Sequence, residues 1–420
     1  MSLWRMCWLS LMNRKVTSIL TLLSFALGVL LLLGVEKIRT ETKQSFLSTV
    51  SGTDLIIGAR SGPVNLLLYS VFRIGNATNN ISWDSYQLIA KSNSVAWSVP
   101  IALGDSHKGY RVVGTTPNYF EHIKYANRTS FEFAKGKPFD GVFEVVLGAE
   151  VAKRLGYKVG DDIVIAHGAG KVSFVKHDNL PFKVVGILAA TGTPTDRSLL
   201  TSLEGIEAIH VGWDSGSPSA ASLKFTHQDF EGKALQPASI TAAFIGLKSR
   251  MATFQLQRSI NQYNKEALLA ILPALTLQEL WQLIGVAEKS LLVVSALVVF
   301  STLLGMMITM LSSLQERRRE IAILRALGAR PQHIVFLLVS EAVLLASLGA
   351  LIGWALLYAS LAMVSPYFVD WFGFHIDVGV ASIKEAVMIF MIVISAVLMS
   401  LIPGWRAYKH SLADGLTVKL

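Results

Sequence analysis

SLLVVSALVVFSTLLGMMITMLSSLQ, residues 290–315, is a run without a single charged side chain. A helix needs about 20 mainly apolar residues to cross the hydrocarbon core of a bilayer. Three more long apolar runs occur, and the sequence predicts membrane-spanning helices at residues 16–36, 289–315, 332–366 and 385–404. The alternative is a set of buried helices in a soluble enzyme, but such apolar runs are usually only about 10 to 14 residues long. The chain is therefore predicted to be a membrane protein.

The composition is uneven along the chain. Overall, 52% of the residues are hydrophobic and 16% are charged, whereas soluble proteins carry about 25% charged residues. The deficit lies in the apolar runs, while residues 37–288 have an ordinary mixed composition. This segment is long enough to form a hydrophobic core of its own. The single cysteine, Cys7, allows no internal disulfide.

Basic residues are concentrated on one predicted side of the membrane. Before the first span, between the second and third spans and after the fourth, 11 basic and 3 acidic residues give a net charge of +8. The rest of the chain carries a net charge of +1. Because basic residues near span ends mark the cytoplasmic side, we expect both termini in the cytoplasm and residues 37–288 outside.

The two ends of the chain lie on that basic side. Residues 1–15 contain Trp4, Trp8 and Leu9, and they are predicted to form an amphipathic helix that lies on membrane lipid. Residues 405–420 are predicted to be a cytoplasmic tail.

The segment 37–288 alternates strand-like and helix-like runs. Strands are predicted at residues 54–58, 96–102, 110–114, 145–148, 160–165, 182–188 and 240–247. Helices are predicted at residues 82–91, 149–155 and 249–272, the first capped by Ser82 and the second ended by Gly156. The glycine- and serine-rich residues 212–222 are typical of a loop or a joint between two subdomains. This interleaving predicts an α+β domain.

Catalytic, cofactor-binding and metal-binding motifs are not evident in the sequence. GAGK at residues 168–171 resembles a phosphate loop, but Ile165 and Val172 stand where the full motif requires Gly and Ser or Thr. The outward histidines lack the close spacing of metal ligands and are interpreted as scattered surface or core residues: His107, His122, His167, His177, His210, His227 and His375. A nearly neutral outer segment also argues against binding of nucleic acid. We expect no enzymatic activity.

The segment between the second and third spans, ERRREIAILRALGARP at residues 316–331, has its own pattern. Three apolar side chains recur on one helical face: Ile321, Leu324 and Leu327. Gly328 suits the end of this helix, and Pro331 can open the next one. An anchor on lipid head groups would explain the arginines, but it would not explain the two glutamates or the tight break after the helix.

Several segments resemble one known family. RRREIAILRALGARPQHI, residues 317–334, resembles the coupling segment of the MacB/FtsX-like ABC transporter permease superfamily, which includes the lipoprotein-releasing permeases. IPGWRAYKHSLADGL, residues 402–416, is similar to the closing segment of that family. VVLGAEVAKRLGYKVGDDIVI at 145–165 and FKVVGILAATGTPTDRSLL at 182–200 resemble its periplasmic core domain. The family also shares the order of one span, a large outer domain and three further spans.

The resemblance implies a fold of four transmembrane α-helices with a large α+β extracytoplasmic domain between helices 1 and 2. It also implies mechanotransmission, in which a separate cytoplasmic ATPase holds ATP and Mg²⁺ and moves the outer domain through this chain. The chain itself would hold no cofactor, and it would pair with a second permease copy or a related permease. The implied coupling residues are Glu316, Arg317, Arg318, Arg319, Glu320, Ile321, Leu324, Arg325, Leu327 and Gly328.

Glu341 is an acidic residue early in the third span, at a place where the family often keeps one. A carboxylate inside a span is costly unless it is paired or hydrated, so Glu341 is a candidate functional residue. A purely structural ion pair with nearby arginines is an alternative interpretation.

Two functions fit the family resemblance. One is export or extraction of a substrate such as a lipoprotein, a peptide or a small molecule, which a periplasmic binding or adaptor protein could assist. The other is an FtsX-like signal relay that regulates an extracytoplasmic partner such as a cell-wall hydrolase. The size of the outer domain favours transport. We expect a multi-pass protein of the bacterial inner membrane without a fused ATPase domain, since about 15 residues precede the first span.

Overall fold

The structure is a computed structural model. It describes residues 12, 14–49, 51–126, 128–168, 177–213, 219, 222–230, 232–233, 235–316, 321, 323, 325–326, 328–372 and 381–409.

The helices and strands of the described residues follow in chain order. The helices are α1 (Lys15–Thr49), α2 (Pro63–Ser70), α3 (Trp83–Ala90), α4 (Asn118–His122), α5 (Ala149–Leu155), α6 (Leu203–His210), α7 (Thr253–Asn261), α8 (Pro273–Glu316), α9 (Pro331–Phe372) and α10 (Ile383–Lys409). The strands are β1 (Leu55–Ala59), β2 (Ile81–Ser82), β3 (Val95–His107), β4 (Tyr110–Thr115), β5 (Phe133–Gly136), β6 (Glu144–Leu147), β7 (Asp162–Ile163), β8 (Ala166–His167), β9 (Phe182–Leu188), β10 (Ser198–Ser202), β11 (Ser239–Ile240), β12 (Ala242–Leu247) and β13 (Leu268–Ile271). Short 3-10 turns cover Pro194–Arg197, Ser222–Lys224, His227–Phe230 and Arg250–Ala252.

The chain divides into two compact units. One comprises Met1–Glu41, Gly285–Tyr367 and Ile376–Leu420, and the other comprises Thr42–Ile284 and Phe368–His375. The first unit contains the apolar helices, and we call it the membrane unit. The second contains the strands, and we call it the outer domain.

Among the described residues, four helices are long and apolar enough to cross a membrane. Their apolar segments are Lys15–Lys43, Pro273–Leu314, Pro331–Val364 and Ile383–Ala407. The four predicted spans are confirmed, but the helices extend beyond them. The largest extension is at α8, which begins at Pro273, well before the predicted start at residue 289. Proline is favoured in the first turn of a helix, and the residues that follow it continue the helix without a break.

In the membrane unit, α1 and α9 approach closely through small residues. A Cβ atom added at Gly353 would lie 2.5 Å from the carbonyl oxygen of Ala26, and one added at Gly349 would overlap the Cβ of Phe25. Ala346 and Ala350 on the same helix are fully buried. Small residues spaced by four allow helix backbones to pack at short range, so this stripe on α9 sets the contact with α1.

The outer domain is built on a mixed sheet. The described strands form an eleven-stranded sheet in the order β13-β1-β12-β3-β4-β10-β6-β9-β5, with β7 paired to β9 and β8 paired to β3. The β4–β10 and β6–β9 pairs are parallel and the other pairs are antiparallel. Strands β2 and β11 form a separate two-stranded sheet. The α+β prediction is confirmed.

Both faces of the large sheet are buried. On β1, Ile56 packs into one hydrophobic cluster, whereas its neighbours Leu55 and Ile57 pack into another. On β10, Leu200 joins the same cluster as Ile56, and Leu199 joins a third cluster. Because side chains alternate along a strand, one cluster follows one face of the sheet and two clusters share the opposite face. The outer domain therefore has its own core.

Local sequence signals in the outer domain are partly confirmed. Helix α3 starts where predicted, and the Ser82 hydroxyl accepts a hydrogen bond from the Ser85 N–H. Helix α5 has the predicted bounds and ends at Gly156, whose φ is +73°. The predicted helix at residues 249–272 is wrong in its second half, because α7 ends at Asn261 and strand β13 follows. Strand β13 pairs with β1 along its whole length, and that pairing outweighs the helix propensity of its leucines and alanine.

Candidate functional site

The segment between α8 and α9 ends as its sequence predicts. Gly328 has a φ of +94°, and its N–H donates to the carbonyl oxygen of Arg325 at 3.0 Å. Helix α9 begins at Pro331, and the Arg330 N–H donates to Nδ1 of His333 at 3.1 Å. The left-handed glycine and the proline together stop one helix and start the next. Consequently a turn at Gly328 separates the segment from α9.

Two isoleucines of this segment lie in different environments. Ile321 packs against an apolar cluster formed by the ends of three membrane helices: Leu314, Ile334, Leu338 and Ala407. The side chain of Ile323, in contrast, is 58% exposed. Apolar residues of the same chain therefore cover the side chain of Ile321, whereas most of the side chain of Ile323 stays exposed. Of these two residues, only Ile321 is among those predicted to take part in coupling.

The remaining predicted coupling residues are described only in part. Arg325 is half-buried and Gly328 is exposed. Glu316 ends α8, and its side chain is not among those described. Outside the described residues are Arg317, Arg318, Arg319, Glu320, Leu324 and Leu327. The coupling role of all these residues stays a prediction.

Glu341 lies on α9 and is 8% exposed, so its side chain is packed against protein. It shares this buried state with Ser340 and the fully buried Ala342. The functional role predicted for Glu341 is not tested by its burial.

A second buried carboxylate, Glu385, lies at the start of α10 and was not singled out in the sequence. The Tyr358 hydroxyl donates to its two oxygens at 3.2 and 3.0 Å, and the Trp354 indole N–H donates at 3.3 Å. Lys37 places its Nζ 3.9 Å from Glu385 and 3.2 Å from Glu41. These contacts join α1, α9 and α10 through one polar network.

The outer domain contains a cluster of polar side chains, and strand pairing brings its first two members, Asp105 and His167, together. Strand β8 pairs with the end of β3 so that His167 lies directly opposite Asp105. Directly opposed residues on neighbouring strands have Cβ atoms about 5 Å apart. His167 Nδ1 accordingly lies 3.1 Å from Asp105 Oδ1. Asp105 is buried, whereas the His167 side chain is 51% exposed.

His210, the last residue of α6, enters the same cluster. Its Nε2 lies 3.2 Å from His167 Nδ1 and 3.5 Å from Asp105 Oδ1. Its other ring nitrogen, Nδ1, lies 2.7 Å from the carbonyl oxygen of Ile206 one helical turn earlier. A carbonyl accepts only from a protonated nitrogen, so Nδ1 carries a proton and Nε2 is the ring nitrogen that faces the cluster.

His177 completes the cluster. It is 3% exposed, and its Nε2 makes no hydrogen bond among the described residues. Its ring packs 4.7 Å from the ring of Trp213, which also lies 5.8 Å from the His167 ring. One ligand atom from each of Asp105, His167, His177 and His210 lies within 4.8 Å of the others.

The pKa values in this cluster reflect burial and mutual contact. Burial alone would raise the pKa of Asp105, but hydrogen bonds from His167 and His210 outweigh it and lower that pKa to about 2. Burial and the nearby His210 lower the pKa of His177 to about 4. Burial would lower the pKa of His210, but its bond to Asp105 raises it above the ordinary value. At neutral pH, Asp105 is therefore ionised and His177 is a neutral imidazole, the form that binds metal ions.

The interpretation of the outward histidines as scattered is wrong for three of the seven, His167, His177 and His210. Metal sites recognised from sequence usually have ligands a few residues apart. Here the four side chains come from a strand pair, a helix end and a separate segment, and sheet register determines the proximity of Asp105 and His167. The predicted strand ends at residue 102, whereas β3 continues to His107 and so includes Asp105.

The sequence matches two protein-family profiles over most of its length. One is described as MacB-like periplasmic core domain and matches residues 18–260, and the other is described as FtsX-like permease C-terminal and matches residues 292–412. The chain belongs to the MacB/FtsX-like permease family. The family resemblance inferred from the coupling segment is thereby confirmed, as is the arrangement of four spans with an extracytoplasmic domain.

A curated relative of this permease is the macrolide export ATP-binding/permease protein MacB of Nitrobacter winogradskyi. It is 25% identical over 366 residues, which cover 83% of this chain and 50% of the relative. The permease thus spans about half the length of the curated relative that it matches.

Two solved structures show a similarity to part of this chain. The periplasmic region of MacB from Actinobacillus actinomycetemcomitans has 11% identity and a TM-score of 0.34, and it covers 56% of this chain and 94% of that chain. The extracellular domain of the noncanonic ABC-type transporter YknZ from Gram-positive bacteria has 11% identity and a TM-score of 0.30, with coverages of 52% and 99%. The family assignment rests on the profile matches.

Both groups of candidate residues lie within matched segments. The coupling segment, Glu341 and Glu385 belong to the part that matches the permease profile. The cluster of Asp105 and the three histidines belongs to the part that matches the periplasmic core domain.

Proposed function

We propose that this chain is the permease subunit of an ABC transporter and that it transmits the movements of a separate cytoplasmic ATPase to its outer domain. The observation that carries this proposal is the pair of profile matches, because they cover the outer domain and the spans in the order typical of such permeases. In this proposal ATP and Mg²⁺ bind to the ATPase, and the chain itself performs no catalysis.

The connection between α8 and α9 supports a docking role for residues 316–328. It ends in a left-handed turn at Gly328, and α9 follows at Pro331. Ile321 anchors it to the membrane helices, so a push on the segment is transmitted directly to α8 and α9. Ile323 is left exposed and offers an apolar contact to a partner.

Transport is favoured over an FtsX-like signal relay. The MacB-like core domain profile extends across residues 18–260, which include most of the outer domain. We propose that the chain works as a dimer or as a pair of related permeases, and that its substrate is exported or extracted at the outer face of the bacterial inner membrane. A periplasmic binding or adaptor protein and membrane lipid complete the proposed partners.

We predict that Ile323→Asp releases the ATPase. The substitution would place a carboxylate in an apolar contact without a partner, and loss of a central interface side chain typically costs about 2 kcal/mol or more, which is about 30-fold in affinity. The measurement is the ATP hydrolysis that co-purifies with the chain from its native membrane.

The matched control for this prediction is Ile321→Ala. Because Ile321 packs inside the chain, its truncation should lower the thermal stability of the purified protein and leave more of the bound ATPase than Ile323→Asp does. An ATPase that stays bound to the Ile323 variant, or that is absent from the unmodified chain, contradicts the docking proposal.

We also predict that the outer domain and the connecting segment lie on opposite sides of the membrane. In a Cys7→Ser background, Lys224→Cys and Ala326→Cys each provide one exposed cysteine. A membrane-impermeant thiol reagent added to intact spheroplasts should label only the Lys224→Cys variant. After lysis of the spheroplasts, the reagent should label the Ala326→Cys variant as well. Labelling of Ala326→Cys in intact spheroplasts would reverse the proposed topology.

A further inference from the structure

We infer that the outer domain binds one divalent transition-metal ion of the zinc class through Asp105, His167, His177 and His210. This inference goes beyond the permease function and does not depend on it, because binding can be measured on the chain alone. Four lines of geometry support it.

The first line is the spacing of the ligand atoms. Zinc lies about 2.0–2.1 Å from imidazole nitrogen and carboxylate oxygen in tetrahedral sites, which sets ligand atoms about 3.3 Å apart. The three contacts among Asp105 Oδ1, His167 Nδ1 and His210 Nε2 measure 3.1, 3.2 and 3.5 Å. These three atoms therefore have the dimensions of one face of a zinc tetrahedron.

The second line is the fourth ligand. His177 is buried, and its Nε2 has no hydrogen-bond partner among the described residues. An unpaired polar atom in a protein interior is costly, and a metal ion would satisfy it. The set of four ligand atoms spans at most 4.8 Å, so a small movement of His177 completes the tetrahedron.

The third line is the support behind the ligands. Metal-binding histidines usually donate their second ring nitrogen to a carbonyl or carboxylate, which fixes the tautomer and the ring orientation. The contact between His210 Nδ1 and the carbonyl oxygen of Ile206 provides this at 2.7 Å. Trp213 packs against the rings of His177 and His167 and forms an apolar wall beside them.

The fourth line is the choice of atoms and their access. Three imidazoles and one carboxylate suit zinc and its transition-metal neighbours, whereas Mg²⁺ and Ca²⁺ prefer oxygen ligands. The His167 side chain is half exposed and Asp105 is buried. An ion can therefore enter past His167 and be held at a buried negative charge.

The test uses the full chain, purified in detergent without a polyhistidine tag and stripped of metal by a chelator. Equilibrium dialysis with Zn²⁺ should give one ion per chain, and competition with a chromophoric chelator gives the affinity. Co²⁺ in place of Zn²⁺ should give the strong visible bands of a four-coordinate tetrahedral ion. Excess Mg²⁺ should not displace either ion. Absence of stoichiometric Zn²⁺ binding, or the weak bands of octahedral Co²⁺, would overturn the proposal.

Variants connect any binding to these four residues. Changing a residue that only supports a ligand usually costs 10- to 100-fold in affinity, so His177→Ala and His210→Gln should each weaken Zn²⁺ binding by about 100-fold or more. His227→Gln is the matched control, because His227 lies in the same domain and contacts the carbonyl oxygen of Pro181 instead. Its affinity should equal that of the unmodified chain.

A further variant covers the case in which the buried substitutions prevent folding. His167 is half exposed, so His167→Gln should leave the metal-free protein folded, with a cooperative thermal transition, while Zn²⁺ binding weakens by a similar factor. Zn²⁺ should raise the melting temperature of the unmodified chain and raise it less in this variant. Equal affinities in the His167 variant and the unmodified chain would refute the site.

Discussion

Gly353→Ala should destabilise the membrane unit although it adds only one methyl group. The added Cβ would lie 2.5 Å from the backbone carbonyl oxygen of Ala26 and 3.0 Å from the Cβ of Val29. A side chain could rotate away from such a contact, but a helix backbone can only shift as a whole. Overpacking of this kind typically costs about 1–3 kcal/mol. A lower apparent melting temperature of the detergent-solubilised chain is the measurement.

Gly305→Ala is the matched control for that substitution, and it should act in the opposite direction. Gly305 lies on α8, and a Cβ added there meets no atom within 4 Å among the described residues. Because glycine is about 1 kcal/mol less favourable than alanine inside a helix, this variant should be as stable as the unmodified chain or slightly more so. If Gly353→Ala behaves in the same way as Gly305→Ala, the close contact of α9 with α1 does not form.

The four spans could be predicted from the sequence because their signal is local. A membrane span can be recognised from the length and the lack of charge of one run of residues, without knowledge of the rest of the chain. Residues 290–315 are such a run. The ends of the helices were less predictable, since α8 begins at Pro273, in sequence that includes the charged residues Glu279 and Glu288. Helix ends depend on packing and on capping as well as on hydropathy.

The connection between α8 and α9 was predictable for the same reason. Gly328 and Pro331 act through their own backbone preferences. The left-handed turn at Gly328 and the start of α9 at Pro331 are both where the sequence predicts. The environment of the two isoleucines was not predictable in this way. Helical periodicity identifies an apolar face, but it does not distinguish a face covered by the same chain, as at Ile321, from an exposed position such as Ile323.

The histidine and aspartate cluster required the sheet. His167 faces Asp105 only because β8 adds to the end of β3 in one register. A shift of that register by one residue would turn His167 to the opposite face. No pattern in the sequence specifies that pairing, so ligands separated by more than 60 residues could not be brought together from spacing alone.

The network around Glu385 was missed for a related reason. Lys37 and Glu385 lie near the ends of different predicted spans, where charged residues commonly mark the membrane boundary. Their side chains are 8% and 5% exposed, and this burial results from the packing of α1, α9 and α10, which the sequence does not specify.

Glu385→Leu should therefore destabilise the membrane unit strongly. The substitution removes the acceptor for the Tyr358 hydroxyl and the Trp354 indole, and it leaves Lys37 with Glu41 as its remaining carboxylate among the described residues. Removing one member of a buried charged pair typically costs about 3–5 kcal/mol. The measurement is the apparent melting temperature of the purified chain, because the two units need not unfold in a single step.

Two further variants separate loss of the charge pair from a general defect. Lys384→Met changes the exposed neighbour of Glu385 and should leave the melting temperature unchanged. The double variant Lys37→Met with Glu385→Leu removes both charges, and it should be more stable than Glu385→Leu alone because a buried ammonium group no longer has to be kept beside Glu41 after losing its second carboxylate. If the two substitutions are simply additive, Lys37 and Glu385 do not interact across α1 and α10. The stability lost in Glu385→Leu would then come only from the loss of the hydrogen bonds that Tyr358 and Trp354 donate to Glu385.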